Sequence, residues 1–494
     1  MNRILLFALA ILLITSCAQQ RENEFFTARI DFPVQPIFGV KEAMAARLIP
    51  HQRQLEWQKL EMTAFIHFSI NTFTDSEWGT GKESPELFNP SSLDAEQWVR
   101  VLNEAGMKMV IITAKHHDGF CLWPTKTTTH SVASSPWKDG KGDVIRELKD
   151  ACEKYNMKFG VYLSPWDRNA ACYGDSPAYN RFYMEQLTEL LTWYGRVDEV
   201  WFDGANGEGP DGRRQEYDWQ AYYDLIRKLQ PDAVTAIMGN DVRWVGTESG
   251  YGRETEWSAT VLAPGGTPES VAINEALGID AMSEDLGSSS LLSRANHLFW
   301  YPAEVDVSIR PGWFWHASED SLVKDVAKLS DIYLSSVGRN AVLLLNVPPD
   351  NRGLITDHDI NSLRGLKTWT DKLYATDLLN GSRPYGRGAS NLTDGDNSTS
   401  WNPRHNPVAS FVPAIAATFN VAMLQEDISK GQRVEKFIIE ALSGTEWDTI
   451  ATGTTIGYKR LIRFPEVKAD EIKLTIVSSR AAPYISTFAL YHTE

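Results

Sequence analysis

The sequence predicts an α/β protein in which a (β/α)8-type TIM barrel is followed by a C-terminal β-sandwich. Two observations support this prediction. Between about residue 60 and residue 365, short apolar runs alternate with amphipathic stretches, as strands and helices do in a parallel barrel. Beyond about residue 371, the chain is rich in Thr, Ser, Val and Ile in short alternating runs separated by Gly, Asn and Asp, which is typical of a β-sandwich.

Eight apolar runs are expected to form the strands of the barrel domain, which we place at residues 35–368. The runs are 63–68, 109–114, 158–163, 199–202, 234–238, a weaker one near Glu256, 298–301 and 342–347. Between them, apolar residues recur every three or four positions, which predicts helices at 95–105, 144–155, 180–194 and 218–229.

The C-terminal domain is predicted to span residues 369–494, and its clearest strands are 437–441, 461–464, 471–477 and 485–491. Its loop 392–401 resembles the loop of discoidin-like, coagulation-factor-type modules, many of which bind sugars. Asp394 and Asp396 in this loop are candidate ligands for a structural calcium ion, although the ligand set is incomplete in sequence. The alternatives are a turn whose side chains cap their own backbone, and a module that only supports the barrel.

The first residues read as an export signal. Arg3 precedes an apolar run from Ile4 to Ile14 that is too short to span a membrane, and the run ends at Cys17. The segment resembles a bacterial lipobox, which predicts a signal peptide at 1–16, acylation of Cys17 and a polar tether at 17–34. We therefore expect an exported lipoprotein, periplasmic or on the cell surface, that contacts the membrane only through this anchor. The alternative is an ordinary secretory signal.

Composition argues against a nucleic-acid partner, because the net charge is −16 and no long basic run offsets the 64 acidic residues. A small neutral or polar substrate fits better. The remaining cysteines, Cys121, Cys152 and Cys172, are too few and too scattered for a disulfide framework.

Candidate polar residues lie where apolar runs end. His67 ends the first run, His116 and His117 follow the second, Tyr162 and Ser164 close the third, and Asp203 closes the fourth. Because strand ends converge on one mouth of a parallel barrel, we expect these side chains to lie together. The histidines also raise the alternative of a metal site, but neighbouring residues on a strand point to opposite faces. Neutral imidazoles that donate hydrogen bonds to sugar hydroxyls explain the same residues without a metal, and each histidine could instead bond a backbone carbonyl.

Two carboxylates beside aromatic residues indicate glycosidase chemistry. Asp203 lies between Phe202 and a glycine, and Glu248 lies in the segment 244–250 with an aromatic residue and two glycines. Asp203 could instead cap a helix or pair with Arg243. Glu248 has two rivals in the same loop region, which are Glu254 and Glu256.

Several segments in order resemble the α-L-fucosidases of glycoside hydrolase family 29. They are Phe65-Ile66-His67-Phe68, Glu77-Trp78, Lys115-His116-His117-Asp118-Gly119-Phe120, Tyr162-Leu163-Ser164-Pro165-Trp166-Asp167, Trp201-Phe202-Asp203-Gly204 and Leu343-Leu344-Leu345-Asn346-Val347. The resemblance implies a retaining enzyme that needs no cofactor for catalysis, with Asp203 as its nucleophile. It also implies a fucose pocket formed by His67, Glu77, Trp78, His116, His117, Tyr162 and Trp201. Phe68 stands where many relatives have Trp, which affects packing rather than chemistry.

The segments 244–248 and 304–316 resemble the subgroup that cleaves α-1,3 and α-1,4 fucosyl bonds of Lewis-type glycans. This resemblance implies that Glu248 is the acid/base and that Trp313 lines the fucose site. It further implies that Glu304 and Asp306 meet the neighbouring galactose. The alternatives are a broad or α-1,2-preferring fucosidase, a metal-dependent hydrolase that uses the histidines, and an inactive glycan-binding lipoprotein.

Overall fold

The computed structural model describes residues 25–34, 39–209, 211–414 and 417–493. The predicted signal peptide, Cys17 and part of the predicted tether lie outside these ranges. Every helix within them is too short or too polar to cross a membrane.

A parallel eight-stranded barrel forms the centre of the molecule, as the sequence predicts. In chain order its strands are Met62–Ile66, Met109–Lys115, Lys158–Leu163, Glu199–Phe202, Val234–Ile237, Arg243–Trp244, Ala303–Ser308 and Ala341–Asn346. Neighbours in this order pair in parallel except the fifth and sixth strands, and the eighth strand pairs with the first. Among the described residues only the fifth and sixth strands share no ladder, so the barrel is nearly closed.

Two of the predicted barrel strands are wrong. The sixth strand is Arg243–Trp244 rather than a run near Glu256, and the seventh is Ala303–Ser308 rather than 298–301. The apolar run at 298–301 does form a strand, but in a separate antiparallel sheet of Ala259–Thr260, His297–Trp300 and Arg29–Asp31. The seventh strand has no continuous apolar run, because carboxyl residues occupy alternate positions in it.

The four helices that the sequence predicts pack outside the strands, at Ala95–Glu104, Val144–Lys154, Ser176–Trp193 and Trp219–Leu229. Each follows an aspartate whose carboxylate accepts a hydrogen bond of 2.9 to 3.3 Å from a backbone N–H three residues further on. Such caps satisfy an N–H group that the first turn of a helix leaves free.

The other α-helices within the described ranges are Val40–Ala45, Gln52–Gln58, Asn71–Thr74, Pro268–Leu277, Ser289–Arg294, Val326–Ser336 and Asp357–Leu373. Short 3-10 helices lie at Pro85–Leu87, Val132–Ser134, Trp137–Gly140, Ala317–Leu322, Ala389–Leu392 and Ile428–Lys430. A two-stranded parallel sheet joins Phe26–Thr27 and Leu48–Ile49.

The barrel has two apolar layers because side chains alternate along each strand. Ile66, Val110 and Val305 belong to the layer between the strands and the helices, and they are fully buried or nearly so. Phe65 and Trp201 belong to the cluster inside the barrel. The inner layer therefore forms the floor on which residues at the carboxyl ends of the strands stand.

The C-terminal module consists of two antiparallel sheets, as the sequence predicts. One contains, in order, Arg383–Tyr385, Val408–Val412, Glu471–Ser479, Val434–Ser443 and Glu446–Gly453, and the other contains Arg460–Lys468, Thr418–Glu426 and Ile485–Tyr491. Phe411 and Phe437 of the first sheet and Phe488 of the second belong to one buried cluster. The two sheets therefore share a core.

The loop proposed for calcium uses its carboxylates internally. Asp394 accepts hydrogen bonds from the Asp396 N–H at 2.9 Å and from the Thr399 hydroxyl at 2.7 Å. Asp396 in turn accepts from the N–H and the hydroxyl of Ser398. These contacts match the alternative of a self-capped turn, and calcium at this loop stays a prediction.

Candidate active site

A cavity of about 210 Å³ lies at the carboxyl ends of the barrel strands. Its walls bring together every predicted catalytic or substrate-binding residue except Tyr162 and Glu304. They are Phe65, His67, Glu77, Trp78, His116, His117, Trp201, Asp203, Ala205, Glu248, Asp306 and Trp313. Residues separated by almost 250 positions in sequence (67 to 313) therefore face one small volume.

Asp203 follows the fourth barrel strand and keeps about a quarter of its side chain exposed. Its Oδ2 accepts a hydrogen bond from the Tyr162 hydroxyl at 3.1 Å, and its Oδ1 accepts one from the Ala205 N–H at 2.6 Å. His117 Nε2 lies 3.8 Å from Oδ2. Arg243, which the sequence offered as a partner for Asp203, instead contacts Glu256. Two neutral donors thus orient the carboxylate without a cation binding it.

The buried histidines of the cavity stay neutral. Burial lowers the pKa of His67 to about 3, and it also lowers the pKa values of His116 and His117. His67 Nδ1 donates to Asn346 Oδ1 at 2.8 Å, and His117 Nδ1 donates to Ser164 Oγ at 2.7 Å, while that hydroxyl donates to a backbone carbonyl. Nε2 of both rings is then an acceptor, so these two imidazoles accept from hydroxyls rather than donate to them.

Strand alternation does not separate His116 from His117. The second barrel strand ends at Lys115, so His116 and His117 lie beyond it, with their ring centroids 4.2 Å apart. Both line the same cavity. Even so, within the part of the chain that the structure describes, no three His, Cys, Asp or Glu side chains are grouped as metal ligands.

Glu77 fixes the loop that carries Trp313. Its two oxygens accept hydrogen bonds from the N–H groups of Trp313 at 3.0 Å and Phe314 at 3.2 Å. His316 Nε2 lies 2.7 Å from the same carboxylate and Nδ1 lies 2.5 Å from Asp75. Burial works against the charged form of His316, but the hydrogen bonds to Asp75 and Glu77 outweigh it and raise the pKa. The Trp313 side of the cavity is therefore held by an ionic cluster.

Trp78 and Trp313 are the less buried aromatic walls. Trp78 is 58% exposed and packs edge-on against His117 and Trp166, with ring centroids about 6 Å apart. The ring centroids of Trp313 and His67 lie 5.0 Å apart, and the Trp313 indole N–H donates to Glu248 Oε2 at 3.2 Å. An exposed tryptophan beside a polar cavity offers a flat apolar surface to a sugar ring.

Glu304 does not meet a neighbouring sugar, which corrects the expectation from the subgroup resemblance. Its side chain is fully buried, and Oε1 accepts a hydrogen bond from the indole N–H of Trp201 at 2.7 Å. The carboxyl group also hydrogen-bonds that of Glu199, which accepts from Trp57 Nε1 at 2.7 Å. Burial raises the pKa of Glu199 to about 8 and that of Glu304 well above its ordinary value. This carboxyl pair supports Trp201 from below.

Asp306 lies on the same strand but nearer the mouth, and it lines the cavity. Its Oδ1 accepts a hydrogen bond from Trp244 Nε1 at 2.7 Å. Burial, with smaller contributions from Glu304 and Glu248, raises the pKa of Asp306 well above its ordinary value. Of the two carboxyl residues expected near a second sugar, only Asp306 is in a position to contact one.

Glu248 is exposed and lines the cavity, whereas its two rivals face away from it. The Glu254 carboxylate contacts Arg339 and accepts a hydrogen bond from Arg460 at 2.8 Å. Glu256 is buried against Arg243. Among the three glutamates of this loop, Glu248 is thus the one near Asp203.

The segment after Glu248 is attached to the C-terminal module. The Glu256 N–H donates to Thr455 Oγ1 at 3.0 Å, and the Ser258 N–H donates to Gln432 Oε1 at 2.7 Å. Arg460 adds hydrogen bonds to the carbonyl and the carboxylate of Glu254. We call this set of contacts the loop anchor.

Sequence reasoning missed two residues that organise the site. Asn346 accepts from His67 and donates to Ser308 Oγ and to the Trp313 carbonyl. His316 links Asp75 to Glu77. Asn346 ends the last barrel strand, so the rule that singled out the other polar residues at strand ends could have found it. Nothing in the sequence places His316 opposite Glu77.

A carboxylate held by neutral donors, a second carboxyl group in the same cavity, neutral imidazoles and aromatic walls at the carboxyl end of a barrel define a glycoside hydrolase of the TIM-barrel class. The model of the alpha-L-fucosidase family matches residues 38–373 of the 494. The chain therefore belongs to the alpha-L-fucosidase family.

Relatives extend the match beyond the barrel. Alpha-L-fucosidase 1 of Arabidopsis thaliana is 42% identical over 463 residues, which cover 90% of this chain and 87% of that protein. A crystal structure from Bacteroides ovatus, named only provisionally as an alpha-L-fucosidase, is 56% identical with a TM-score of 0.89 and covers 96% of this chain and 79% of its own. A Ruminococcus gnavus GH29 fucosidase in complex with fucose is 31% identical with a TM-score of 0.80, and the match covers 90% of this chain and 95% of that one.

Proposed function

We propose that this protein is a retaining exo-α-L-fucosidase that releases terminal α-1,3- or α-1,4-linked fucose from Lewis-type glycans. The observation that carries the proposal is that Asp203 and Glu248 line one small cavity in a chain of the alpha-L-fucosidase family. Phe65 and Trp313, whose ring centroids lie 6.4 Å apart, give that cavity apolar surface for the methyl group of a 6-deoxy sugar.

In the first step, an Asp203 oxygen attacks the anomeric carbon of fucose while Glu248 gives its proton to the departing glycosidic oxygen. The carbon–oxygen bond to the leaving group breaks, and an ester bond between fucose and Asp203 forms. Tyr162 and the Ala205 N–H orient the attacking carboxylate. The nucleophile therefore needs no neighbouring cation to hold it in place.

In the second step, Glu248 takes a proton from water, whose oxygen attacks the same carbon and displaces Asp203. Two inversions retain the configuration. The neutral imidazoles of His67 and His117 accept hydrogen bonds from sugar hydroxyls through Nε2, which orients the ring without adding charge. We expect a fucose-bound crystal structure to show the two carboxyl groups about 5 to 5.5 Å apart.

Azide rescue tests the two roles. Both Asp203→Ala and Glu248→Ala should slow hydrolysis of an aryl α-fucoside, the first by about 10³-fold or more. Added azide should then yield β-fucosyl azide from the Asp203 variant and α-fucosyl azide from the Glu248 variant. Asp211→Ala, on the exposed loop after the same strand, is the matched control and should behave like the wild type. Full activity of Asp203→Ala would reject the mechanism.

Linkage preference rests on the resemblance of segments 244–248 and 304–316 to one subgroup. Incubation with Lewis trisaccharides, a 1,2-linked fucoside and an aryl fucoside checks it. Release from the branched trisaccharides, with little from the 1,2-linked sugar, is the expected result. Equal release from both would instead favour a broad enzyme, and binding without release would favour a glycan-binding protein.

We further propose that the protein is anchored to a membrane through acylated Cys17. The lipobox-like sequence supports this proposal, and the residue lies outside the described ranges. Cys17→Ser should move the protein from the membrane fraction to the soluble fraction of expressing cells, and an unchanged distribution would contradict the anchor.

A further inference from the structure

A second cavity of about 570 Å³ adjoins the first. The two share the walls formed by Trp201, Asp203, Ala205, Glu248 and Asp306. Since Asp203 and Glu248 line both cavities, a sugar linked to fucose in the smaller cavity has the larger one beside it. We call this space the leaving-group cavity, and its occupant is the part of the substrate that departs.

The far wall of this cavity comes from the long connection between the sixth and seventh barrel strands. It includes the helix Pro268–Leu277, none of whose residues is buried. Val271, Asn274 and Glu275 line the cavity, and their spacing of three and four residues puts them on one face of the helix. Val271 is 44% exposed, which leaves an apolar side chain open at the wall.

Hydrogen bonds within the protein hold the wall in place. Asn274 exchanges two hydrogen bonds with the backbone of Ala263, at 2.8 Å and 3.1 Å, so the helix is fixed to the preceding loop. Thr267 caps the start of the helix by accepting from the Ser270 N–H at 3.3 Å. Asn274 therefore holds the wall, while Val271 and Glu275 remain available to a ligand.

The size and the charge of the leaving-group cavity define which ligands fit it. The leaving-group cavity is about 2.7 times as large as the first (570 against 210 Å³), so where the first holds one sugar ring the second has room for about two more. Glu275 and Asp280 are exposed carboxylates on its walls. The cation on the walls, Arg243, is bound to Glu256. Arg253 lies close enough to Asp280 to interact with its charge, whereas the structure gives Glu275 no ion pair among the described residues. An anionic sugar would therefore meet the negative charge of Glu275.

We propose that the leaving-group cavity binds a neutral saccharide of about two rings, with Val271 packing against its apolar surface and Glu275 disfavouring anionic sugars. This inference rests on the proposed function, because it assigns the leaving group of that same reaction. It assigns the selection of the leaving group to the helix Pro268–Leu277 rather than to the catalytic carboxyl groups.

The test compares kcat/KM for three substrates: an aryl α-fucoside, a neutral fucosylated trisaccharide and the same trisaccharide carrying sialic acid. Val271→Asp should lower the ratio of kcat/KM for the neutral trisaccharide over the aryl fucoside by about tenfold or more. Ala272→Asp, on the same helix but off the cavity, is the matched control and should leave the ratio within about twofold.

Glu275→Gln should raise kcat/KM for the sialylated trisaccharide about three- to tenfold relative to the neutral one, an effect that falls with added salt. Glu269→Gln, another exposed carboxylate of the helix, should not. The inference is overturned if Val271→Asp and Ala272→Asp change the ratio equally, or if the wild type cleaves neutral and sialylated trisaccharides equally well. Failure of the wild type on the aryl fucoside would instead reject the proposed function.

Discussion

Replacing Glu304 by glutamine tests the buried carboxyl pair beneath Trp201. Glutamine keeps an oxygen for the Trp201 indole N–H and offers an amide N–H to Glu199. The variant therefore preserves the hydrogen bonds of the pair while removing the need for a proton between two carboxyl groups. Trp201 should stay in place, so we expect kcat/KM for an aryl fucoside within about threefold of the wild type.

The size of the effect on stability follows from the proton of Glu304, because burial and the neighbouring Glu199 raise the pKa of Glu304 well above its ordinary value of 4.5 in the folded state. Between the ordinary and the raised pKa the folded protein keeps a proton that the unfolded chain has lost. The free energy of unfolding then decreases as pH rises, by about 1.4 kcal/mol per pH unit for each retained proton. For a proton kept throughout the range from pH 5 to pH 8 this amounts to about 4 kcal/mol. Glu199, whose pKa burial raises to about 8, acts in the same direction in both proteins, so its contribution cancels in the difference.

Denaturant unfolding at several pH values between 5 and 8 measures the effect as a difference between wild type and variant. Asp118 and Glu426, which are also buried with pKa values raised to about 7, are common to both proteins and cancel in the difference. Glu304→Gln should gain stability relative to the wild type as pH rises. Glu269→Gln, an exposed change of the same kind, should not. Parallel pH profiles of wild type and Glu304→Gln would refute the reasoning.

Three further predictions concern the site. Tyr162→Phe removes the hydroxyl that donates to Asp203 and should lower kcat/KM for an aryl fucoside by about 10- to 100-fold with an unchanged melting temperature; an unchanged kcat/KM would contradict the contact. The imidazoles of His67 and His116 should show no titration by NMR between pH 5 and pH 8, because burial keeps their pKa values below this range, whereas a midpoint near 6.5 in either ring would exclude the neutral pocket. Arg460→Ala removes two hydrogen bonds of the loop anchor, so it should lower kcat by about 3- to 10-fold and change KM less. Arg463→Ala, an exposed change on the same strand, should match the wild type, and equal kinetics of the two variants would argue against a role for the anchor.

The elements that the sequence predicted well are those with strong periodicity and a clear start. The third, fourth and fifth strands are short apolar runs, and the four predicted helices each follow an aspartate cap. The sixth strand escaped prediction because two residues cannot show a period. In the seventh strand, Glu304 and Asp306 point into the barrel, where the sequence pattern of a barrel strand normally has apolar side chains.

The sequence predicts the site residues that lie at strand ends, but it does not predict the contacts that depend on loops. His67, Asp203 and Tyr162 follow from the rule that parallel strands end on one side. Sequence resemblance pointed to Glu304 but could not show that Trp201 covers it, because depth within a barrel depends on neighbouring strands. The tautomers of His67 and His117 likewise depend on Asn346 and Ser164, which come from other strands.

The loop anchor divides the chemistry between the two modules. Asp203 and Tyr162 belong to the barrel, whereas the segment that presents Glu248 is fastened a few residues later to Thr455, Gln432 and Arg460 of the sandwich. On the proposed mechanism, we expect a change in the sandwich to weaken proton transfer from Glu248 to the leaving group while formation of the fucosyl ester from an activated fucoside continues. The same mechanism makes these few positions of the sandwich part of the catalytic support, whatever its outer surface binds.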